Sequence, residues 1–291
     1  MVIKNFISSF KSCLTNKKKG NIKKFSFNYR NRRGNQILYV DKNALKNLKL
    51  FPRRLDKNSK LKVKTKNYDN YIPESDCQIL YQNNKYYIVF SKTKDFKNYK
   101  ANFNEVSLDP GVRTFQTYYS PDGISGNLGD NIATKLTKIA NRIDLLKSLR
   151  DLRLIKKRKA NLKCIKLITK MKCILNDFQW KISHFLVKNF NKIYLPEFGT
   201  SKMLKGLCKK TRRTINMLSH YQFKEKMIHQ CTKLKRELII CSEEYTSKTC
   251  TCCGNINRKL GGNKIYNCTN CGISIDRDLN GARNIYLKNR A

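Results

Sequence analysis

Acidic residues are scarce in this sequence. Its 291 residues include 20 Asp and Glu against 62 Lys and Arg, a formal net charge of +42, and no acid precedes Asp41. Such an excess of one sign repels itself unless a polyanion neutralises it. The charge therefore indicates nucleic acid as the partner, with a membrane surface as the second polyanion to consider.

Long hydrophobic runs are also missing. No apolar stretch reaches the roughly 18 residues that a transmembrane helix needs, and Lys4 and Lys11 interrupt the N-terminal apolar stretch, so no signal peptide is predicted. We expect an intracellular protein without membrane association, in the nucleus or in a viral or nucleoid DNA compartment. Its twelve cysteines are then thiols or metal ligands and not a disulfide framework.

Strand-like and helix-like patterns alternate along the chain. Residues 1–104 are basic and β-leaning, and they predict a small antiparallel sheet or barrel with strands at 36–40 and 85–90. Turn-type residues at 31–35, 67–70 and 83–84 separate these strands. The other predictions, in chain order, are a hairpin at 106–123, two or three helices over 131–190, a strand at 192–197, a basic loop at 199–213, a helix at 219–235, a strand at 237–241 and a helix at 279–289. Strands interleaved with helices indicate an α/β core.

Five cysteines cluster near the C-terminus. Cys250, Cys253, Cys268 and Cys271 form two C-x-x-C pairs separated by fourteen residues, the spacing of a tetrahedral four-thiolate zinc site. With four protein ligands no position is left for water, so the metal is predicted to be structural. Cys252 is read as a spare that could replace a neighbour, and a redox pair or plain buried thiols are the alternatives.

Two basic stretches predict contacts with phosphate. Four consecutive cations occur at Lys156, Lys157, Arg158 and Lys159, and a second group comprises Lys209, Lys210, Arg212 and Arg213. Either group could neutralise a nucleic-acid backbone. For the first group, a nuclear-localisation patch or a solvated helix face remains an equal alternative.

Because acids are rare, those at strand ends are informative. Asp109 and Glu197 each end a predicted strand, while Asp276 and Asp278 follow the cysteine cluster. Two or three converging carboxylates can bind the paired Mg²⁺ ions used in phosphodiester cleavage. Taken singly, Asp109 also fits an ordinary turn, and each of the others fits a helix cap.

The full set of motifs resembles the TnpB/Fanzor family, transposon-encoded relatives of type V CRISPR nucleases. The resemblance covers roughly residues 100–291. The sequences at 109–113 and 119–123 are closer to the eukaryotic and giant-virus Fanzor branch than to bacterial members. The motifs that carry it are 108–115, Leu195-Pro196-Glu197, Thr246-Ser247-Lys248-Thr249-Cys250, 276–285, and the helix motif 219–223.

The resemblance implies an α/β fold with an RNase H-like (RuvC) nuclease core, an inserted C-terminal zinc ribbon and a partial β-rich wedge domain before the core. The implied boundaries are 1–104 for the wedge, 105–245 for the core with its helical insertion, 246–273 for the ribbon and 274–291 for the end of the core. Family members carry a longer segment before the first acid, so the helical insertion of the wedge is expected to be missing or reduced, and the chain could be N-terminally truncated.

The resemblance also implies RNA-guided cleavage of DNA next to a short flanking motif, with guide RNA and target DNA as partners. Asp109, Glu197 and Asp278 correspond to the three catalytic acids that bind Mg²⁺ or Mn²⁺. Asp278 is preferred to Asp276 because the final acid of the family stands two residues before Asn in D-x-N-G/A-A. Arg277 and Arg283 would contact phosphate, and strand transfer would belong to a separate transposase encoded by the mobile element. A catalytically impaired nucleic-acid-binding protein of the same fold remains the alternative function.

Overall fold

The structure is a computed structural model that describes residues 2–28, 34–46, 49–51, 74–82, 85–91, 93, 100–197, 206–242, 244–258, 261 and 263–290. The chain divides into two compact units, Met1–Asp95 and Phe96–Ala291. Each unit has a hydrophobic core of its own. No helix in the described ranges is long and apolar enough to cross a membrane.

The first unit begins with a helix that the sequence analysis missed. Helix α1 spans Val2–Lys18 and ends on two basic residues, Lys17 and Lys18, which suit the negative end of the helix dipole. Phe6 and Phe10 are one helical turn apart and pack with Phe25 and Phe27. The interpretation of this region as β-leaning was wrong for residues 2–18, since apolar spacing of four there outweighs β propensity.

Apart from one short 3-10 helix, Lys42–Ala44, the other regular elements described in the first unit are β-strands, as predicted. Strands β1 (Gln36–Val40), β4 (Cys77–Gln82) and β5 (Lys85–Val89) form an antiparallel sheet in the order β1-β4-β5, while β2 (Leu45–Lys46) and β3 (Lys49–Leu50) form a two-stranded ladder. The predicted strands at 36–40 and 85–90 are confirmed to within one residue. The turns predicted at 67–70 and 83–84, and most of the one at 31–35, lie outside the described residues.

The second unit is built on a five-stranded mixed sheet in the order β10-β9-β6-β7-β8. Strands β6 (Phe103–Pro110), β7 (Gln116–Tyr119) and β8 (Ser125–Leu128) are antiparallel, whereas β9 (Phe190–Pro196) and β10 (Glu237–Cys241) run parallel to β6. The predicted hairpin and the two later strands are confirmed. Helices interleaved with this sheet make the unit a mixed α/β fold.

The two faces of this sheet are covered by different helices because strand side chains alternate. Val106 and Leu108 of β6 belong to the main core, which also contains Leu136, Leu186 and Phe223. These come from helices α2 (Ile132–Asp151), α3 (Lys157–Asn189) and α5 (His220–Leu234), with α4 (Lys209–Leu218) ending beside the same core. Helix α4 begins inside the basic loop predicted at 199–213, of which residues 199–205 lie outside the described residues.

The opposite face of the sheet is covered by the last helix, α6 (Arg277–Asn289). Ser107 Oγ of β6 donates to the carbonyl of Ala282 at 2.7 Å, and Tyr194 of β9 packs with Ile285 and Tyr286. Between β10 and α6 lies a small module with the antiparallel strands β11 (Ile265–Asn267) and β12 (Ser274–Asp276). Its core consists of Cys250, Tyr266 and Cys268.

Candidate active site and metal centre

Asp109 lies at the carboxyl end of β6, on the face covered by α6. Its side chain is half-buried, and its carboxylate packs against the backbone of Gly281. A Cβ added to Gly281 would collide with Asp109 Oδ2, lie 3.1 Å from Asp109 Cγ and lie 3.6 Å from Ser247 Oγ. The missing side chain of Gly281 is therefore what lets the helix approach the carboxylate so closely.

Asp278 stands one helical turn before Gly281, in the first turn of α6. Asp276 caps this helix, since its Oδ1 accepts from the N–H groups of Asp278 at 2.9 Å and Leu279 at 3.2 Å. The sequence left open which of the two aspartates is the cap, and the structure assigns that contact to Asp276. The Asp109 carboxylate thus packs against α6 one helical turn after Asp278.

Burial raises the pKa of Asp278, and the negative charge of Asp276 raises it further, against the opposing effect of Arg277, Arg113 and Lys264. Ionisation of this half-buried carboxyl is therefore less favourable than that of a carboxyl in water. A nearby divalent cation would reverse this effect. Carboxyl groups with such perturbed pKa values occur preferentially at functional sites.

Glu197 directly follows β9, the parallel neighbour of β6, and its N–H donates to the carbonyl of Cys241 at 2.9 Å. Ser107 pairs with Tyr194. Continued by two residues, this register brings Asp109 opposite Pro196, so that Glu197 follows at the same edge of the sheet. The Glu197 carboxylate is 70% exposed and lies 3.2 Å from Lys224 Nζ of α5. Sequence reasoning missed Lys224, because nothing along the chain distinguishes it from the other cations.

The predicted phosphate-binding residues lie at two helix starts. Lys156 is the N-cap of α3, and Lys157, Arg158 and Lys159 form its first turn, which contains no acid. Positive side chains at a helix N-terminus are repelled by the positive end of the helix dipole, and a bound anion would relieve this repulsion. This arrangement fits the phosphate alternative for these residues, which remains a prediction.

The second group lies on α4 beside a cleft of about 720 Å³ that Lys172 of α3 also lines. Lys209 and Arg212 line this cleft. Arg213 also lines it, but its guanidinium is paired with Asp144 of α2 and donates to Ala140 O at 3.3 Å. Arg213 therefore has a structural contact in addition to its predicted role.

The two other arginines that the resemblance places near phosphate lie on α6. Arg277 donates to Gly261 O at 2.9 Å, and the Arg283 guanidinium lies over the Tyr119 ring, 5.8 Å from its centroid.

The four predicted cysteine ligands converge. The sulfurs of Cys250, Cys253, Cys268 and Cys271 all lie within 4.8 Å of one another. Cys250 and Cys271 are 3.6 Å apart, as are Cys253 and Cys268. A zinc–sulfur distance of about 2.3 Å gives a tetrahedron with edges of about 3.8 Å. The cluster can therefore hold a tetrahedral metal ion such as zinc, while Cys252 is exposed and lies outside this group.

Each cysteine pair sits on the same kind of backbone turn. Gly254 N–H donates to Cys250 O at 2.9 Å, and Gly272 N–H donates to Cys268 O at 3.1 Å. Both glycines have positive φ angles, 75° and 73°, a conformation that glycine adopts readily because it has no Cβ. The side chain of Asn270 lowers the pKa of Cys253, whereas burial and the neighbouring thiols raise the pKa of Cys271. A bound cation would favour the thiolate form of both cysteines.

Comparison with known proteins agrees with these features. Residues 220–285 match the family described as Cas12f1-like, TNB domain. The chain is 29% identical over 293 aligned residues to the TnpB-like protein L79 of Acanthamoeba polyphaga mimivirus, covering 96% of this chain and 54% of that protein. It is 27% identical to a candidate RNA-guided DNA endonuclease of Streptomyces pristinaespiralis, covering 62% of this chain and 44% of that one.

Among solved structures, the Cas12f1–sgRNA–target DNA complex has a similar fold, with a TM-score of 0.50 and 19% identity over 72% of this chain and 45% of that one. The chain spans about half the length of the relatives it matches. The family match lies on the helix, cysteine module and terminal helix that build the site described above. Together with the TnpB-like relatives, this match supports the assignment of the chain to the TnpB family.

Proposed function

We propose that the second unit is an RNase H-like (RuvC) nuclease core that hydrolyses DNA phosphodiesters with Asp109, Glu197 and Asp278. The observation that carries the proposal is the packing of the Asp109 carboxylate against Gly281, one turn after Asp278. The strand order β10-β9-β6-β7-β8, with three antiparallel strands followed by two parallel ones, supports the fold assignment. In this proposal, residues 105–245 and 274–291 form the core, 246–273 the zinc ribbon and 1–104 a wedge-like domain.

The three acids would hold Mg²⁺ or Mn²⁺ through carboxylate oxygens, which are the ligands these cations prefer. A bound cation would offset both effects that raise the pKa of Asp278, which are its burial and the negative charge of Asp276. When bound, such ions lower the pKa of an attacking water and stabilise the leaving oxygen. Lys224 Nζ lies 3.2 Å from Glu197 Oε1, so a bound cation would compete with this ammonium group. The four cysteines would hold a structural zinc ion that keeps the module folded.

Guide RNA and target DNA are the proposed partners. A net charge of +42 favours association with polyanions, and the basic starts of α3 and α4 offer surfaces for their backbones. The Streptomyces relative, described as RNA-guided, supports a guided mechanism. Affinity that depends on phosphate neutralisation should fall steeply as salt is raised.

The test is a cleavage assay with the purified full chain and the RNA that copurifies with it, using DNA that matches this RNA and carries a randomised flanking sequence. We expect Mg²⁺-dependent cutting that Asp109→Ala and Glu197→Ala abolish while RNA affinity stays unchanged. The matched control is Glu225→Ala, which removes an exposed acid of α5. A wild-type chain that binds RNA but never cuts, with Mg²⁺ or Mn²⁺, would establish the non-catalytic binder instead.

A further inference from the structure

Two buried asparagines of α6 hold the chain segment that leads into the first cysteine pair. Asn280 is fully buried and Asn284 is 7% exposed, and a spacing of four residues puts both on one side of the helix. Asn280 Nδ2 donates to Thr249 O at 2.8 Å, and Thr251 N–H donates to Asn280 Oδ1 at 3.0 Å. Asn284 Nδ2 donates to Thr246 O at 2.8 Å and to Thr249 O at 2.7 Å.

Residues 246–251, which we call the connecting segment, touch both candidate metal sites. Cys250 within this segment is one of the four clustered thiols, and its N–H donates to Asn255 O at 2.8 Å. Ser247 of the same segment lies beside Gly281, where the Asp109 carboxylate also packs. The connecting segment is therefore bound to the cysteine turns on one side and to α6 on the other.

The asparagine contacts leave this segment little freedom relative to α6. Buried backbone groups in a protein are nearly always hydrogen-bonded, so the segment cannot shift without leaving such groups unpaired or moving the helix with it. Helix α6 carries Asp278 in its first turn and Gly281 in the next. A change in the cysteine module would thus reach both acids through two short side chains.

We propose that Asn280 and Asn284 are positioning residues that couple the four-cysteine centre to the carboxylate site. Metal held by the cysteines fixes the connecting segment, the two amides transmit its position to α6, and α6 sets where Asp278 and Asp109 meet a cation. The identity of the carboxylate site in this coupling rests on the proposed function. Because linkage is reciprocal, Mn²⁺ at the carboxylates should tighten metal binding at the cysteines by the same factor.

The test compares the full chain with zinc bound and with zinc removed by a chelator under reducing conditions. Amide hydrogen exchange is measured over residues 278–284, and Mn²⁺ affinity is measured by electron paramagnetic resonance. In the wild type, zinc removal should speed exchange by about 10-fold or more and weaken Mn²⁺ affinity by about 5- to 150-fold, the usual range of coupling between sites. In Asn280→Ala and Asn284→Ala, both quantities should lose most of their dependence on zinc.

The matched control is Asn289→Ala, because the bond that Asn289 Nδ2 makes within the described part of the chain is to Ile285 O of its own helix. This variant should respond to zinc as the wild type does. If Asn280→Ala does not fold, Asn284→Ser carries the same prediction with a smaller change.

The outcomes separate the coupling from the proposed function. Wild-type exchange in α6 that ignores zinc, or a zinc dependence that persists undiminished in both asparagine variants, would overturn the coupling. Zinc-dependent exchange without any Mn²⁺ binding would support the coupling and refute the nuclease site.

Discussion

Lys224→Met should strengthen the binding of Mn²⁺ to the candidate active site. Lys224 Nζ lies 3.2 Å from Glu197 Oε1, so the lysine occupies the carboxylate that we propose as a metal ligand. A divalent cation must displace this ammonium group or share the carboxylate with it. Removing the ammonium group removes this competition, so Mn²⁺ should bind more tightly. If Lys224 had only a structural role, its substitution would not make Mn²⁺ bind more tightly.

The size of the effect follows from the exposure of the pair. The Glu197 side chain is 70% exposed and the Lys224 side chain 23%, and ion pairs of this kind contribute about 0.2–1 kcal/mol. A competitor of that strength weakens metal binding by about 1.4- to 5-fold. We therefore expect Lys224→Met to lower the Mn²⁺ dissociation constant by a factor within this range.

The assay is Mn²⁺ titration followed by electron paramagnetic resonance, with the cysteine site kept saturated with zinc. Lys192→Met is the matched control. Lys192 lies near the start of β9, the strand that Glu197 follows, and its Nζ is 3.8 Å from Glu237 Oε1. It changes the net charge equally, but it lies about 16 Å along β9 from Glu197, beyond the screening length of about 8 Å at physiological salt. Unchanged or weaker Mn²⁺ binding in Lys224→Met, or equal strengthening in Lys192→Met, would refute the reasoning.

Three further predictions concern the carboxylates and the cysteines. Gly281→Val should weaken Mn²⁺ binding and lower the free energy of unfolding by about 1–3 kcal/mol through overpacking against Asp109. Gly281→Ala should stay within about 1 kcal/mol, because the gain in helix propensity offsets a rotated carboxylate; denaturant titration measures both. Asp278→Asn should raise the melting temperature of the metal-free chain at pH 7, and acidification toward pH 4 should remove this gain. The raised pKa of Asp278 means that ionisation costs stability above the unfolded pKa and costs nothing below it. Cys253→Ser should lose bound zinc, measured by metal analysis, whereas Cys252→Ser should keep it.

Each of these predictions has a clear contrary result. Equal Mn²⁺ affinity in Gly281→Val and the wild type would mean that Asp109 does not depend on the close approach of α6. A stability difference for Asp278→Asn that is the same at pH 4 and pH 7 would exclude the burial of a charged Asp278 as its cause. Loss of zinc in Cys252→Ser would mean that Cys252 is the ligand in place of a neighbour.

The sequence alone determined most of the local structure of the second unit. Short segments rich in apolar residues at 106–108 and 193–195 predicted strands, and spacings of three and four between apolar residues predicted the long helices. The cysteine spacing also predicted the convergence of four sulfurs, because two C-x-x-C turns can bring their thiols to one point only in a few geometries. Helix α1 contradicts the β-structure predicted for residues 1–104, because the four-residue spacing of Phe6 and Phe10 places both rings on one side of a helix.

Contacts between distant parts of the chain were decided only by the tertiary structure. The sequence placed acids at Asp109 and Asp278, but not the backbone of Gly281 against which the Asp109 carboxylate packs. It could not select Lys224 as the partner of Glu197, since one lysine among 62 basic residues carries no local mark. Nor could it reveal that Asn280 and Asn284 bond the connecting segment. Local patterns determine elements through backbone propensity and side-chain spacing, whereas such pairings depend on how packed elements bring residues 27 to 175 positions apart into contact.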